Sequence, residues 1–226
     1  MNALSTLSES EKSALFEGIA AGSKLFWGPE TVHCEELIQK GFLSEIHAVR
    51  LSLAVDPPDS LEEVNRIIAG FSSGRDLFEY LETAYVQLFI SNRKIPVVPL
   101  YHSCYEYENA PLMGAPAAMM QKRLADAGLS LGAHIHEPPD HLCIELEYLY
   151  FMGTVGGSEA NGSRMSEAAV FARRMMLPWI YKLRDRLAAH PESRFYLPAI
   201  SLILSMLQRI GGTSDESSEI VIEHSC

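Results

Sequence analysis

In the stretch DLFEYLETAYVQLFI (residues 76–90), Leu77, Phe78, Leu81, Tyr85, Leu88 and Phe89 fall one, four, eight, eleven and twelve positions after the first of them. That spacing draws one apolar stripe along a 3.6-residue period, the mark of an amphipathic helix. Just ahead of it, Ser72, Ser73 and Gly74 supply the residues that end one helix and start another. Working outward, the same period runs through EKSALFEGIAAGSKLF, ELIQKGFLSEIHAVRLSL, SLEEVNRIIAGF, AAMMQKRLADAG and DHLCIELEYLYFMG. It continues through MSEAAVFARRMMLPWIYKLRDRLAAH and RFYLPAISLILSMLQRI. No period-two strand series or hairpin signal competes with it, so the expected class is all-α.

Residues 1–212 are expected to form one helical-bundle-like domain of about eight to nine helices. Gly128 and Gly211 stand where helices should close, and Pro178 lies inside a long periodic segment that it should kink or split. The segment 91–115 (SNRKIPVVPLYHSCYEYENAPLMGA) has three prolines and no period, so it reads as a long functional loop. Residues 132–139 form a possible hinge, and the polar residues 213–226 are expected to be a disordered tail.

The chain has 226 residues, with 18 lysines and arginines against 29 aspartates and glutamates, for a net charge of −11. That balance argues against nucleic acid as a partner and suits an arginine- or lysine-rich peptide. The four cysteines, Cys34, Cys104, Cys143 and Cys226, are scattered, which suits reduced thiols in a cytoplasmic protein. The N-terminus lacks the pattern of a secretory signal, and the apolar run LPAISLILSML (197–207) is too short to span a bilayer, so no stable membrane insertion is expected.

Most of the chemistry-bearing side chains gather in HIHEPPDHLCIELEYLYFM (134–152). His134, His136, His141 and Cys143 are zinc-competent residue types, and a metal-dependent enzyme built on them is one alternative. Their spacing matches no closed zinc pattern and lacks the H-E-x-x-H arrangement, so no metal site and no cofactor are assigned. Nucleophile-elbow and phosphate-loop motifs are missing too, the glycine-rich GGSEANGS (156–163) having no lysine. A helix start is the firmer reading: Pro139 suits the first helical position, Asp140 the first turn, and His141 and Glu145 share a face four residues apart. Those residues then form either an exposed pair on a helix start or an acidic lip beside an apolar floor.

YVQLF (Tyr85–Phe89) followed by EPPDH (Glu137–His141), with Ser103, Tyr105 and Gly114 in the proline-containing loop between, resembles the TorD/DmsD (NarJ-like) cytoplasmic chaperones of molybdoenzymes. LPW at 177–179 and FY at 195–196 extend the likeness in family order over residues 74–210. Tyr85 stands where many relatives have tryptophan, and Met175 where they have histidine. The resemblance implies a chaperone and not an enzyme. Its partner would be a molybdopterin-containing oxidoreductase precursor, bound through an N-terminal twin-arginine signal peptide and held for cofactor insertion before export. A non-exported client, as in nitrate-reductase assembly, is the alternative within the family. The implied client-binding residues are Tyr85, Leu88, Phe89, Ser103, Tyr105, Gly114, Glu137, Pro139, Asp140 and His141. Asp140 and Glu137, with Glu106 or Glu108, suit the arginines; Tyr85, Leu88 and Phe89 suit a groove floor, although an uninterrupted stripe also suits plain core for Leu88 and Phe89. The hinge permits a monomer or a domain-swapped dimer.

Overall fold

The computed structural model describes residues 3–42, 59–90, 96–133, 135–155 and 161–212. His134, residues 43–53 of the expected helical stretch ELIQKGFLSEIHAVRLSL, the tail 213–226 and most of the glycine-rich GGSEANGS lie outside the described residues. The helices are α1 (Glu9–Lys24), α2 (Thr31–Lys40), α3 (Asp59–Ala69), α4 (Gly74–Tyr85), α5 (Ala115–Asp126), α6 (Leu142–Thr154), α7 (Asn161–Phe171), α8 (Leu177–Ala188) and α9 (Tyr196–Gly211). A π turn over Ala172–Met176 joins α7 to α8, and with that pair taken as one there are eight helices among the described residues. The only pairing of extended backbone among them is a single antiparallel bridge between Tyr101 and His141.

Local chemistry sets most of the boundaries. Ser8 caps α1 in a reciprocal capping box with Glu11. Ser73 caps α4 by accepting the N–H of Asp76, as the serine pair ahead of the stripe foretold. Gly128 closes α5 with a left-handed φ of 70°; at the end of α9 that role falls to Gly212, one residue past Gly211. Pro178 does split its helix, and the device is the π turn. The N–H of Leu177 reaches five residues back to the carbonyl of Ala172, which resets the hydrogen-bond register just before the proline that cannot donate.

One continuous core runs from Leu4 to Ile210. α9 packs against α1, α3 and α8, and its own Tyr196, Ile200, Ile203 and Leu207 are all buried. This central position accounts for the apolar run 197–207, and no helix among the described residues is long and apolar enough to cross a membrane. α6 lies along α1 and is buried on most sides, including at Glu145. α2 packs on α4, which brings the α1–α2 connection next to the start of α6.

Candidate functional site

The approach to α6 is a turn that ends in extended backbone at His141, not a helix. The N–H of His102 donates to the carbonyl of Asp140 at 3.0 Å, and the N–H of Leu142 donates to the carbonyl of Leu100 at 2.8 Å. Pro138–His141 form a turn closed by the His141 N–H on the Pro138 carbonyl at 3.0 Å, and the non-local pairing holds His141 extended and delays the helix to Leu142, so Pro139 and Asp140 precede it and do not form its first turn. His141 is the N-cap, its Nδ1 accepting the N–H of Cys143 at 3.2 Å. The helix nonetheless starts within a few residues of the expected point.

Asp140 is the centre of a buried latch. Its Oδ2 accepts the backbone N–H of Ser103 at 2.8 Å and the Ser103 hydroxyl, while Oδ1 has no partner. Ser103 Oγ in turn accepts the N–H of Gly114 at 3.0 Å. A Cβ at position 114 would lie 2.9 Å from a Glu106 carboxylate oxygen and 3.4 Å from Ser103 Cβ, so the backbone passes close to the latch here. Asp140 and Ser103 are both 0% exposed, which places the latch behind the surface. It ties the long proline-containing loop to the start of α6.

A second buried network lies one turn further along. Glu145 accepts the indole N–H of Trp179 at 2.9 Å and faces Nδ1 of His102 at 3.0 Å. His102 stacks on Trp179 with ring centroids 5.3 Å apart, and Tyr105 packs on Trp179 as well while donating its hydroxyl to the carbonyl of Pro99. Burial raises the pKa of Glu145, opposed by its bond to His102. Glu145 therefore has partners other than His141, and the side-chain pair expected from their four-residue spacing does not form.

His141 instead stacks on Trp27, 5.1 Å between centroids, and meets Tyr101 edge-on at 5.3 Å. Burial pushes its pKa down to about 4, against the pull of Glu137 and Asp140, so near neutral pH it is an uncharged cap. Cys143 directs its thiol to the carbonyl of Ser23, and burial raises its pKa, so it is kept from the thiolate form a metal would need. Among the described residues no three potential ligands gather for a metal ion. The alternative of an enzyme on His134, His136, His141 and Cys143 loses two of its members to these other roles.

Tyr85, Leu88 and Phe89 form a separate group. Leu88 and Phe89 are buried, and Phe89 meets Phe26, Tyr85 and Tyr196 in an aromatic cluster. Tyr85 is half-buried and donates its hydroxyl to the carbonyl of Phe26 at 3.2 Å. Its ring lies 3.6 Å from where a Cβ of Gly28 would be, and Gly28 has a φ of 108°, which strains any other residue. Tyr85 thus braces the α1–α2 connection from inside.

That connection forms one wall of a cleft of about 720 Å³. Trp27, Glu30, Val32 and Glu36 line one side, and Ile135, Glu137 and Glu147 the other. Glu137 is held by the Tyr101 hydroxyl at 2.7 Å, and Glu147 by the Trp27 indole N–H at 2.6 Å. Burial and the Glu137 bond both raise the pKa of Tyr101, so it remains a donor across the neutral range. Of the client-binding residues expected from sequence, only Glu137 lines this cleft, where it is joined by His136 from the zinc-competent set; Tyr101, which holds Glu137, pairs with His141 next to Asp140.

The family model described as nitrate reductase delta subunit matches residues 56–185, more than half of the chain. The chain belongs to the nitrate reductase delta subunit family. Among its curated relatives, the chaperone protein TorD of Vibrio parahaemolyticus is 25% identical over 198 residues, covering 81% of this chain and 89% of the relative. The TorD chaperone of Vibrio vulnificus is 27% identical over 195 residues, with the same coverage. That of Salmonella arizonae is 24% identical over 156 residues, covering 69% of this chain and 70% of its own length. The likeness of Tyr85–Phe89 and Glu137–His141 to the TorD pattern is therefore a family relationship. Sequence reading missed Trp27, Glu30, Glu36 and Glu147, and a tryptophan in the short polar connection WGPE was the available signal.

Proposed function

We propose that this chain is a cytoplasmic maturation chaperone for a molybdopterin-containing oxidoreductase, binding the precursor's twin-arginine signal peptide or its apoprotein and holding it for cofactor insertion before export. The role is one of binding and not of catalysis, in keeping with relatives that are named chaperones. The observation that carries it is the cleft: four carboxylates and exposed apolar groups line one opening, on a chain with a net charge of −11. Guanidinium groups pair with carboxylates through charge-assisted, often bidentate hydrogen bonds, and an apolar segment beside them finds Val32 and Ile135. The buried latch and the Glu145 network then serve to hold the cleft walls in place.

Isothermal calorimetry with the signal peptide of the molybdoenzyme encoded next to this gene tests the role. Binding that weakens as salt rises is the expected outcome, since the attraction is electrostatic. Absence of binding at low salt removes the signal peptide as the ligand. The family's description as nitrate reductase delta subunit favours a second reading, a client that is not exported. A client N-terminus without paired arginines, together with binding of the apoprotein alone, selects that one.

A further inference from the structure

Resting on the peptide-binding role above, we propose that paired arginines are read by Glu30, Glu36, Glu137 and Glu147 around Trp27, while Asp140 is a positioning residue that the peptide never touches. The family motif alone would put Asp140 in contact with the arginines. Its carboxylate is 0% exposed, however, and its Oδ2 is taken by Ser103, so no peptide group reaches it without breaking the latch. The carboxylates that do open to the surface come from three separate places: the α1–α2 connection and α2 (Glu30, Glu36), the approach to α6 (Glu137), and α6 itself (Glu147).

Complementary charge and shape select the occupant. Four carboxylates meet one ammonium, Lys24, with His33 and His136 as the remaining polar side chains of the cleft. Two of the four are pre-oriented by donors, Glu147 by Trp27 and Glu137 by Tyr101, which cuts the side-chain entropy lost on pairing. Glu36 has only a loose, exposed contact with Lys40 at 3.8 Å, an ion pair that a bidentate guanidinium displaces readily. His141 stacks on one face of the half-buried Trp27 indole, and the opposite face is the one that would take a guanidinium, a contact that ammonium makes less well. Val32, 71% exposed at the rim, and Ile135 receive the apolar residues that follow. The fitting ligand is a peptide with two adjacent arginines followed by an apolar segment.

Asp140 acts at one remove. It fixes Ser103 and, with the Tyr101–His141 bridge, the backbone that carries Tyr101, whose hydroxyl aims Glu137 into the cleft. The test uses the full chain and two synthetic peptides, one with adjacent arginines and one with lysines in their place, followed by calorimetry over a range of salt and by tryptophan emission. The chain has two tryptophans, and Trp179 is 2% exposed, so a change in emission reports on Trp27 and vanishes in Trp27→Phe.

The expected result is that Glu147→Gln, and Glu30→Gln combined with Glu36→Gln, each weaken the arginine peptide by about three- to tenfold and flatten its salt dependence. Asp140→Asn should weaken binding yet keep the wild-type salt dependence, which separates a positioning residue from a contact. The lysine peptide should bind more weakly than the arginine peptide. Wild-type affinity in the glutamine variants with unchanged Trp27 emission overturns the cleft assignment and leaves the chaperone role standing. A flattened salt dependence in Asp140→Asn overturns the positioning role. No binding of the arginine peptide by the wild type overturns the signal-peptide reading along with this one.

Discussion

Two pairs of carboxylates lie within eleven residues of each other, and their surroundings give them opposite work. Asp140 and Glu145 are fully enclosed, each hydrogen-bonded to donors from the loop 101–105 or from α8. Glu137 and Glu147 flank them in sequence, open into the cleft, and are each held by a single aromatic donor. Burying a charge costs far more than exposing one and is repaid only by well-made hydrogen bonds, so the inner pair is committed to structure. The outer pair keeps most of its hydrogen-bonding capacity for a ligand. Position in a motif is thus a poor guide to role; burial separates the two.

The largest effect should come from the inner pair. Glu145→Ala leaves the Trp179 N–H and His102 without their acceptor inside the core, and opens a cavity. Removing one partner of such a buried charged network costs roughly 3–5 kcal/mol, which for a chain of this size is on the order of 10 °C in Tm. Glu145→Gln keeps the volume and an acceptor for the indole, and should cost clearly less in urea or thermal unfolding. Equal losses in the two variants would mean that the carboxylate charge itself, and not the filled space, holds α6 to α8.

His141 sits between the two sets and gives the comparison a pH axis. Its folded-state pKa of about 4 lies below the ordinary value of 6.5, so the unfolded chain binds the extra proton first as pH falls. Stability is then fully present above about pH 6.5 and is lost progressively toward pH 4, by roughly 2 kcal/mol at about pH 5. Glu145 works in the opposite sense, since its raised pKa favours the folded state as it takes up a proton. His141→Asn retains a capping acceptor without the titration, and its stability between pH 7 and pH 5 should fall less than that of the wild type. An unchanged pH slope would show that other groups set the acid limit.

How far all this could be read in the sequence depends on the range of the interactions. The α4 stripe, the Ser73 cap, the closing Gly128 and the break at Pro178 are local and were legible from spacing and residue type. The start of α6 was misplaced because Tyr101 pairs with His141, forty positions away, and holds His141 extended, leaving Pro139 and Asp140 in the turn before the helix. The same cause hid the partners of Glu145: His102 and Trp179 belong to other elements, and helix spacing pointed to His141 instead. The cleft was least legible of all. Trp27 reaches Glu147 across 120 positions, and nothing in WGPE or in the exposed face of α6 announces that the two meet.

A smaller loss should follow Ser103→Ala, which removes the hydroxyl that donates to Asp140 and accepts from Gly114 but leaves the backbone N–H of Ser103 on the carboxylate. About 1–2 kcal/mol is expected from unfolding measurements, the cost of a buried polar group that loses one of its partners. A loss as large as that of Glu145→Ala would mean that the loop 101–114 docks as a unit through this one hydroxyl.

The smallest stability effect should come from the outer pair, where the binding effect is greatest. Glu147 is exposed, and glutamine at this position still offers an oxygen to the Trp27 indole. Glu147→Gln should therefore unfold within about 0.5 kcal/mol of the wild type, as surface substitutions commonly do. The same variant should show the weakened peptide binding and flatter salt dependence set out above. That dissociation of effects is what separates a cleft carboxylate from a latch carboxylate. If Glu147→Gln instead lowers Tm substantially, then the Trp27–Glu147 bond is a structural tie between the α1–α2 connection and α6. The cleft wall would in that case be set by the same kind of bond as the latch, and the contrast between the two pairs would reduce to depth alone.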